Sequence, residues 1–281
     1  MTAGAALASA AGLLGTRLDA ELLLAHVLDV SRANVVARDE RELTPEEQGD
    51  FEQLLARRMA GEPLAYLTGT KEFWSLELEV SKHVLVPRPE TELLVEWGLE
   101  CLSSRRKPGS SVLDIGTGSG AIALALVKEM PTLHMLATDI SASALALARG
   151  NARRLGITNV AFAEGDLWKA LDSGLRRNDA AETFDLIVSN PPYVAAGDPH
   201  LADLKFEPPL ALTSGGDGLD ALRAIVAGAP ARLRAGGWLL VEHGAGQGAA
   251  VRALFAAAGF DGIETRRDLA GLERATGGCT L

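Results

Sequence analysis

Two periodicities divide the chain. Up to about residue 70, apolar positions recur at helical spacing, as in Leu22, Leu23, Leu24, Val27 and Leu28, and again in Phe51, Leu54, Leu55 and Met59. Thr44-Pro45-Glu46-Glu47 reads as the start of the second helix, with Thr as cap, Pro at the first helical position and acids in the first turn. Gly61-Glu62-Pro63 ends it. From residue 71 the period changes. Phe73, Leu76, Leu78 and Val80 alternate with polar residues, a strand signal, and Val84-Leu85-Val86 leads into Pro87-Arg88-Pro89. The stretch 71–89 is therefore expected to be a β-hairpin linker, with a helix following from Glu90 to Leu102.

From residue 111 strands and helices alternate. Strands are predicted at Val112–Ile115, Leu136–Asp139, Val160–Phe162, Phe184–Ser189 and Trp238–Val241. Helices are predicted at Ala121–Glu129, Ala142–Leu155, Gly218–Leu233 and Ala249–Ala257, and the tail from Gly262 has room for two more strands. This rhythm predicts a doubly wound, Rossmann-like α/β sheet over 90–281, preceded by a small helical domain over 1–70. The polar, turn-rich stretch 172–183 reads as a solvated loop insert.

Composition narrows the function classes. Hydrophobic residues make up 47% of the 281, enough for a sizeable core, and the net charge is −10. Residues 1–70 hold six basic against eleven acidic side chains, a poor clamp for nucleic-acid phosphates, so no direct DNA binding is expected. Cys101 and Cys279 are far apart and form no metal-binding or disulfide pattern. The apolar run from Ala3 to Gly15 lacks a basic leader, is too short to span a bilayer and is followed at once by Arg17, Asp19 and Glu21. A cytoplasmic protein without membrane association is expected.

Three motifs carry chemistry. Asp114-Ile115-Gly116-Thr117-Gly118-Ser119-Gly120 ends a strand and opens a helix; its glycines permit sharp turns and close ligand approach, and the helix start offers N–H groups. Gly116, Gly118 and Ala121 also fit a dinucleotide fingerprint, so the loop alone does not choose its ligand. Asp139, ending the next strand, is placed to accept the hydroxyls of a ribose. Asp166 and Trp168, after the third strand, suit an adenine, one as acceptor for its amine and the other as a flat wall.

The third motif, Asn190-Pro191-Pro192-Tyr193, ends the fourth strand. Its prolines remove two N–H donors, so the Asn190 side-chain carbonyl and the Pro191 backbone carbonyl can face one spot as acceptors. A planar NH2 group fits there with both hydrogens bonded, and Tyr193 offers an aromatic face. Hydride transfer has no use for such a pair. The expected cofactor is S-adenosylmethionine, with Gly116 to Gly120, Asp139, Asp166 and Trp168 placed to hold it, and with Asn190 to Tyr193 as the catalytic and substrate-binding group. No strong general base is evident, and His243 of Glu242-His243-Gly244 reads as structural.

With these motifs in place, the chain resembles the protein-(glutamine-N5) methyltransferases that modify class 1 peptide chain release factors. The likeness runs from Gly61-Glu62-Pro63-Leu64-Ala65-Tyr66-Leu67-Thr68-Gly69, Glu72-Phe73-Trp74 and Arg88-Pro89-Glu90-Thr91-Glu92 through the Gly116 loop and Asn190-Pro191-Pro192-Tyr193. It continues through Glu207-Pro208, Gly216-Asp217-Gly218-Leu219, Glu242-His243-Gly244 and Arg267-Asp268 to Glu273-Arg274. The resemblance implies a Rossmann-like methyltransferase sheet, cofactor contacts from Gly116 to Gly120, Asp139, Trp168 and also Asn190, and, as substrate, the glutamine of the release factor Gly-Gly-Gln loop, with residues 1–70 and the hairpin helping to hold that partner. The rival readings are a glutamine methyltransferase of a large-subunit ribosomal protein, a DNA amino-methyltransferase, and a silent binding module; the intact Asn190 and both prolines speak against the last.

Overall fold

A computed structural model describes residues 1–104, 109–172 and 183–281. The predicted loop insert at 172–183 lies, apart from its two end residues, outside the described residues. The chain divides into two compact units, Met1–Thr70 and Lys71–Leu281.

The first unit is helical: α1 Ala3–Leu14, α2 Arg17–Val27, α3 Arg32–Ala37, α4 Pro45–Met59 and α5 Leu64–Thr68. Its core gathers Leu7, Leu23, Leu24, Val35, Phe51 and Leu55 from four of these helices. The start of α4 follows the predicted chemistry. Thr44 accepts from the Glu47 amide at 3.2 Å and the Glu47 carboxylate accepts from the Thr44 amide at 2.9 Å, a reciprocal capping box behind Pro45.

The second unit opens on a tight hairpin, β1 Thr70–Phe73 and β2 Leu76–Glu79. Here the structure corrects the sequence reading. The alternation from Phe73 to Val80 is not one strand but is broken by a turn at Trp74 and Ser75, both at positive φ, and residues 84–86 form no strand. Glu92 stabilises this turn by accepting from the Trp74 amide at 2.9 Å. The remaining elements are α6 Glu92–Ser104, β3 Ser111–Ile115, α7 Ala121–Glu129, β4 His134–Asp139, α8 Ala142–Arg154, β5 Val160–Glu164, α9 Lys169–Asp172, β6 Phe184–Ser189, α10 Asp220–Gly228, β7 Leu233–Glu242, α11 Gly248–Ala257, β8 Asp261–Arg267 and β9 Glu273–Cys279. The helix predicted to reach Leu233 stops at Gly228 because Pro230 follows, and β7 starts at Leu233, earlier than expected.

Seven strands form one sheet in the order β5-β4-β3-β6-β7-β9-β8. The first five are parallel; β9 runs antiparallel to β7 and β8 antiparallel to β9. From β3 the chain winds outward to β5, then returns to lay β6 on the other side of β3. That reversal leaves a crevice at the carboxyl ends of β3 and β6, where sheets of this kind bind ligands. Two apolar layers cover the sheet. Leu94, Trp97, Leu124 and Leu126 belong to one, and Leu222, Ile225, Val251 and Phe255 to the other.

Candidate active site

Strand register assembles the site. Ile115 pairs with both Thr138 and Ser189, Ser189 pairs with Val241, and Asp139 pairs with Glu164. Gly116, Asp139, Asn190 and Glu242 therefore stand in one row across the strand ends. A cavity of about 350 Å³ opens there, within the usual range for small-molecule sites. Gly116, Thr117, Gly118, Ser119, Asp139, Asp166, Asn190 and Pro192 all line it, joined by Ile140, Leu167, Arg88 and Leu210. Gly120, Pro191, Trp168 and Tyr193 are not among the lining residues.

The glycine loop shapes one wall. Gly116 and Gly118 have φ of 74° and 57°, and a Cβ at either would meet no atom within 4 Å, so the missing side chains leave open space on the ligand side. The loop amides are turned inward. Gly116 and Thr117 both donate to the Thr138 carbonyl at 2.9 Å, Gly118 to Asp139 Oδ2 at 2.9 Å and Gly120 to the Thr117 carbonyl at 2.8 Å. The loop thus contributes shape more than donors. Asp114 behind it is fully buried, accepting from Thr117 Oγ1 at 2.7 Å through Oδ2, while Oδ1 has no partner within hydrogen-bond distance among the described residues. Burial drives its carboxyl up to about 7, against the Thr117 hydrogen bond and helped by the Asp139 charge.

Asp139 accepts from the Gly118 amide on one oxygen and from the Ser141 amide at 2.8 Å on the other. Each oxygen keeps a second acceptor position, as a ribose diol requires. Burial raises its pKa, and the amides of Ser141 and Gly118 oppose the rise. Asp166 lines the cavity and pairs with Lys169 at 2.9 Å. Trp168 departs from its expected place. Leu167 takes a positive φ of 49° and faces the cavity, while the Trp168 indole N–H donates to the Ala224 carbonyl at 2.9 Å. The Trp168 ring packs so closely on Gly228 that a Cβ there would lie 2.2 Å from Nε1. Apolar surface on the cavity comes instead from Ile140 and Leu167, with Val84, Leu85, Ile122 and Leu210.

Asn190 follows β6 directly. Its Nδ2 donates to Thr91 Oγ1 at 3.0 Å, Thr91 donates to Glu242 Oε2 at 2.7 Å, and the Tyr193 hydroxyl donates to Glu242 Oε1 at 3.1 Å. Glu242 is 2% exposed, and burial pushes its carboxyl up to about 7 against the Thr91 and Tyr193 hydrogen bonds and the Arg274 charge. Burial, with the Glu242 charge, holds the Tyr193 phenol well above its ordinary value. Tyr193 is fixed from behind as well. Gln247 donates to its carbonyl at 3.0 Å, and a Cβ on Gly218, at φ 78°, would lie 2.2 Å from that oxygen. His243 is buried, with Nε2 2.8 Å from Thr276 Oγ1, and burial lowers its pKa. Arg88, on the rim, is ion-paired to buried Glu207, which also accepts from the Val86 amide at 3.1 Å.

Thr91, Glu242 and Glu207 received no role from sequence. Each lies in a segment noted for resemblance, but only the paired strand ends reveal what it touches.

Both units of the chain contain matches to known families. Residues 2–69 match the PrmC N-terminal domain family and residues 106–226 a methyltransferase domain family. Among solved structures, the human METTL16 catalytic domain bound to an RNA hairpin superposes with a TM-score of 0.58 at 15% identity, covering 78% of this chain and 79% of that one, a likeness of fold. Sheet, cavity and domain match define an S-adenosylmethionine-dependent methyltransferase. The release factor glutamine methyltransferase of Xylella fastidiosa is 50% identical over 266 residues, covering 93% of this chain and 92% of that protein. Its counterpart in Burkholderia pseudomallei is 49% identical over 268 residues, covering 93% and 91%. The chain belongs to the release factor glutamine methyltransferase family.

Proposed function

We propose that this enzyme methylates the side-chain amide nitrogen, N5, of the glutamine in the Gly-Gly-Gln motif of class 1 peptide chain release factors, in the cytoplasm. The observation that carries this reading is the placement of Asn190 beside the glycine-loop cavity, with Nδ2 engaged by Thr91 and Oδ1 bonded to no described residue. The Pro191 carbonyl also accepts from no described residue. Asn190, on the cavity lining, and the carbonyl of the adjoining Pro191 would then offer two acceptors to the two hydrogens of a planar NH2.

The residues fit the cofactor. Open space over Gly116 and Gly118 would admit the cofactor, Asp139 has acceptors free for a ribose, and Ile140, Leu167 and Asp166 on the cavity lining would hold the adenine. When bound, S-adenosylmethionine supplies an electrophilic methyl group. The protein's work is then positional and electrostatic. An amide nitrogen is a poor nucleophile because its lone pair is delocalised. Hydrogen bonds from both its hydrogens to Asn190 and Pro191 draw density onto the nitrogen and hold it in line. No base is needed beforehand, since the methylated nitrogen can release its proton to water. Residues 1–70, of which 2–69 match the PrmC N-terminal domain family, help hold the protein substrate. Their acidic balance supports a protein rather than DNA as partner.

The test is a side-by-side assay of labelled methyl transfer to a purified class 1 release factor, a large-subunit ribosomal protein and duplex DNA, with mass spectrometry of the Gly-Gly-Gln peptide. Label on that glutamine is expected; label only on the ribosomal protein or the DNA would overturn the reading. Asn190→Ala should lower turnover by roughly 10² to 10³-fold, as loss of a positioned polar group does, with cofactor affinity kept within several-fold.

A further inference from the structure

We infer that Thr91 and Glu242 are positioning residues that determine which end of the Asn190 amide faces the cavity. The inference rests on the acceptor role proposed for Asn190 and adds what enforces it. An asparagine side chain is nearly symmetric in shape, and turning it over would replace the acceptor Oδ1 by a donor and repel the substrate NH2. Nothing in Asn190 itself forbids that turn.

Counting protons along the chain of contacts does. Above about pH 7, where its buried carboxyl ionises, Glu242 only accepts. Its Oε2 takes the single hydroxyl proton of Thr91 at 2.7 Å, and its Oε1 takes that of Tyr193 at 3.1 Å. With its proton committed, Thr91 Oγ1 presents only lone pairs to Asn190, 3.0 Å away, so the amide must turn its NH2 inward and its oxygen outward. Donation running from Asn190 through Thr91 to a carboxylate also polarises the amide, leaving Oδ1 the stronger acceptor. Thr91 is 4% exposed and Glu242 2%, so water does not compete for these bonds. Their elements explain the meeting. Thr91 sits in the single 3-10 turn, Pro89–Thr91, that leads into α6, and Glu242 is the last residue of β7, beside the end of β6.

Thr91→Val keeps the shape and removes both functions of the hydroxyl, whereas Thr91→Ser keeps the hydroxyl. Steady-state kinetics of the full chain with release factor should show kcat falling about 10²-fold in Thr91→Val, with KM for S-adenosylmethionine changed less than about threefold. Thr91→Ser should recover most of that loss. Wild-type kcat in Thr91→Val, or equal losses in both variants at matched thermal stability, would overturn the inference. If Thr91→Val does not fold, the kcat of Thr91→Ser decides: near wild type supports the inference, and a loss like that of Asn190→Ala overturns it. Full turnover in Asn190→Ala would instead sink the acceptor role itself.

Discussion

Single residues show how far chemistry can be read without a fold. Asn190 and its two prolines stand out in the sequence because their residue types and order suggest two acceptors with no competing donors, the role proposed for them, and the structure puts Asn190 and Pro192 on the cavity. Asp139 was legible by its distance from the glycine loop. Trp168 misled because an aromatic one residue beyond a cavity looks, in one dimension, like an aromatic inside it. The positive φ of Leu167 sends consecutive side chains apart and puts the leucine on the wall. Thr91 and Glu242 were opaque for another reason. They are 151 residues apart, and their meaning lies in a shared proton that no spacing rule encodes.

At the scale of elements, strand and helix order was readable from period alone, while boundaries failed where one residue overruled a pattern, as at the Trp74-Ser75 turn and at Pro230. Less visible still was what joins elements. Asn151 on α8 is fully buried. Its Nδ2 donates to the carbonyls of Glu79 and Ser119, both at 3.0 Å, and its Oδ1 accepts from the Glu79 amide at 2.8 Å. It acts as a strand partner for the end of β2 and ties that end to the glycine loop. Asn151→Ala would leave three backbone groups without partners, at about 1–3 kcal/mol for each that water cannot reach. Chemical denaturation should show stability falling by several kcal/mol, and titration a weaker affinity for S-adenosylmethionine. Unchanged stability would show that the clamp contributes nothing net.

For the molecule as a whole, the buried carboxyls set a pH dependence of stability. Asp114 and Glu242 are raised to about 7 from ordinary values of 3.8 and 4.5. Below those ordinary values both folded and unfolded chains hold the protons, and neither group matters. As pH climbs toward 7 the unfolded chain ionises freely and the folded one does not, so stability drains away across that window. His243, lowered by burial, works in the opposite sense below its ordinary 6.5, because the unfolded chain takes up a proton that the folded one resists. Comparison with one substitution isolates a single group. Asp114→Asn keeps an acceptor for Thr117 and cannot ionise. Melting temperatures should shift in the variant's favour by several degrees between about pH 4.5 and pH 7.5. A constant difference across that range would mean that Asp114 ionises at its ordinary pKa in the folded protein.

The displaced Trp168 has a use that its expected role would have spoiled. Of the four tryptophans, Trp74, Trp97 and Trp238 pack with the core layer that contains α6 and α7. Trp168 alone packs with the other layer, its indole anchored to α10, immediately after two residues that line the cavity. An indole that does not line the cavity, yet follows directly on two residues that do, would be an intrinsic optical sensor of the nucleoside proposed to bind there. Tryptophan emission should change on titration with S-adenosylmethionine, and Trp168→Phe should remove most of that signal while leaving the affinity, followed by calorimetry, nearly intact.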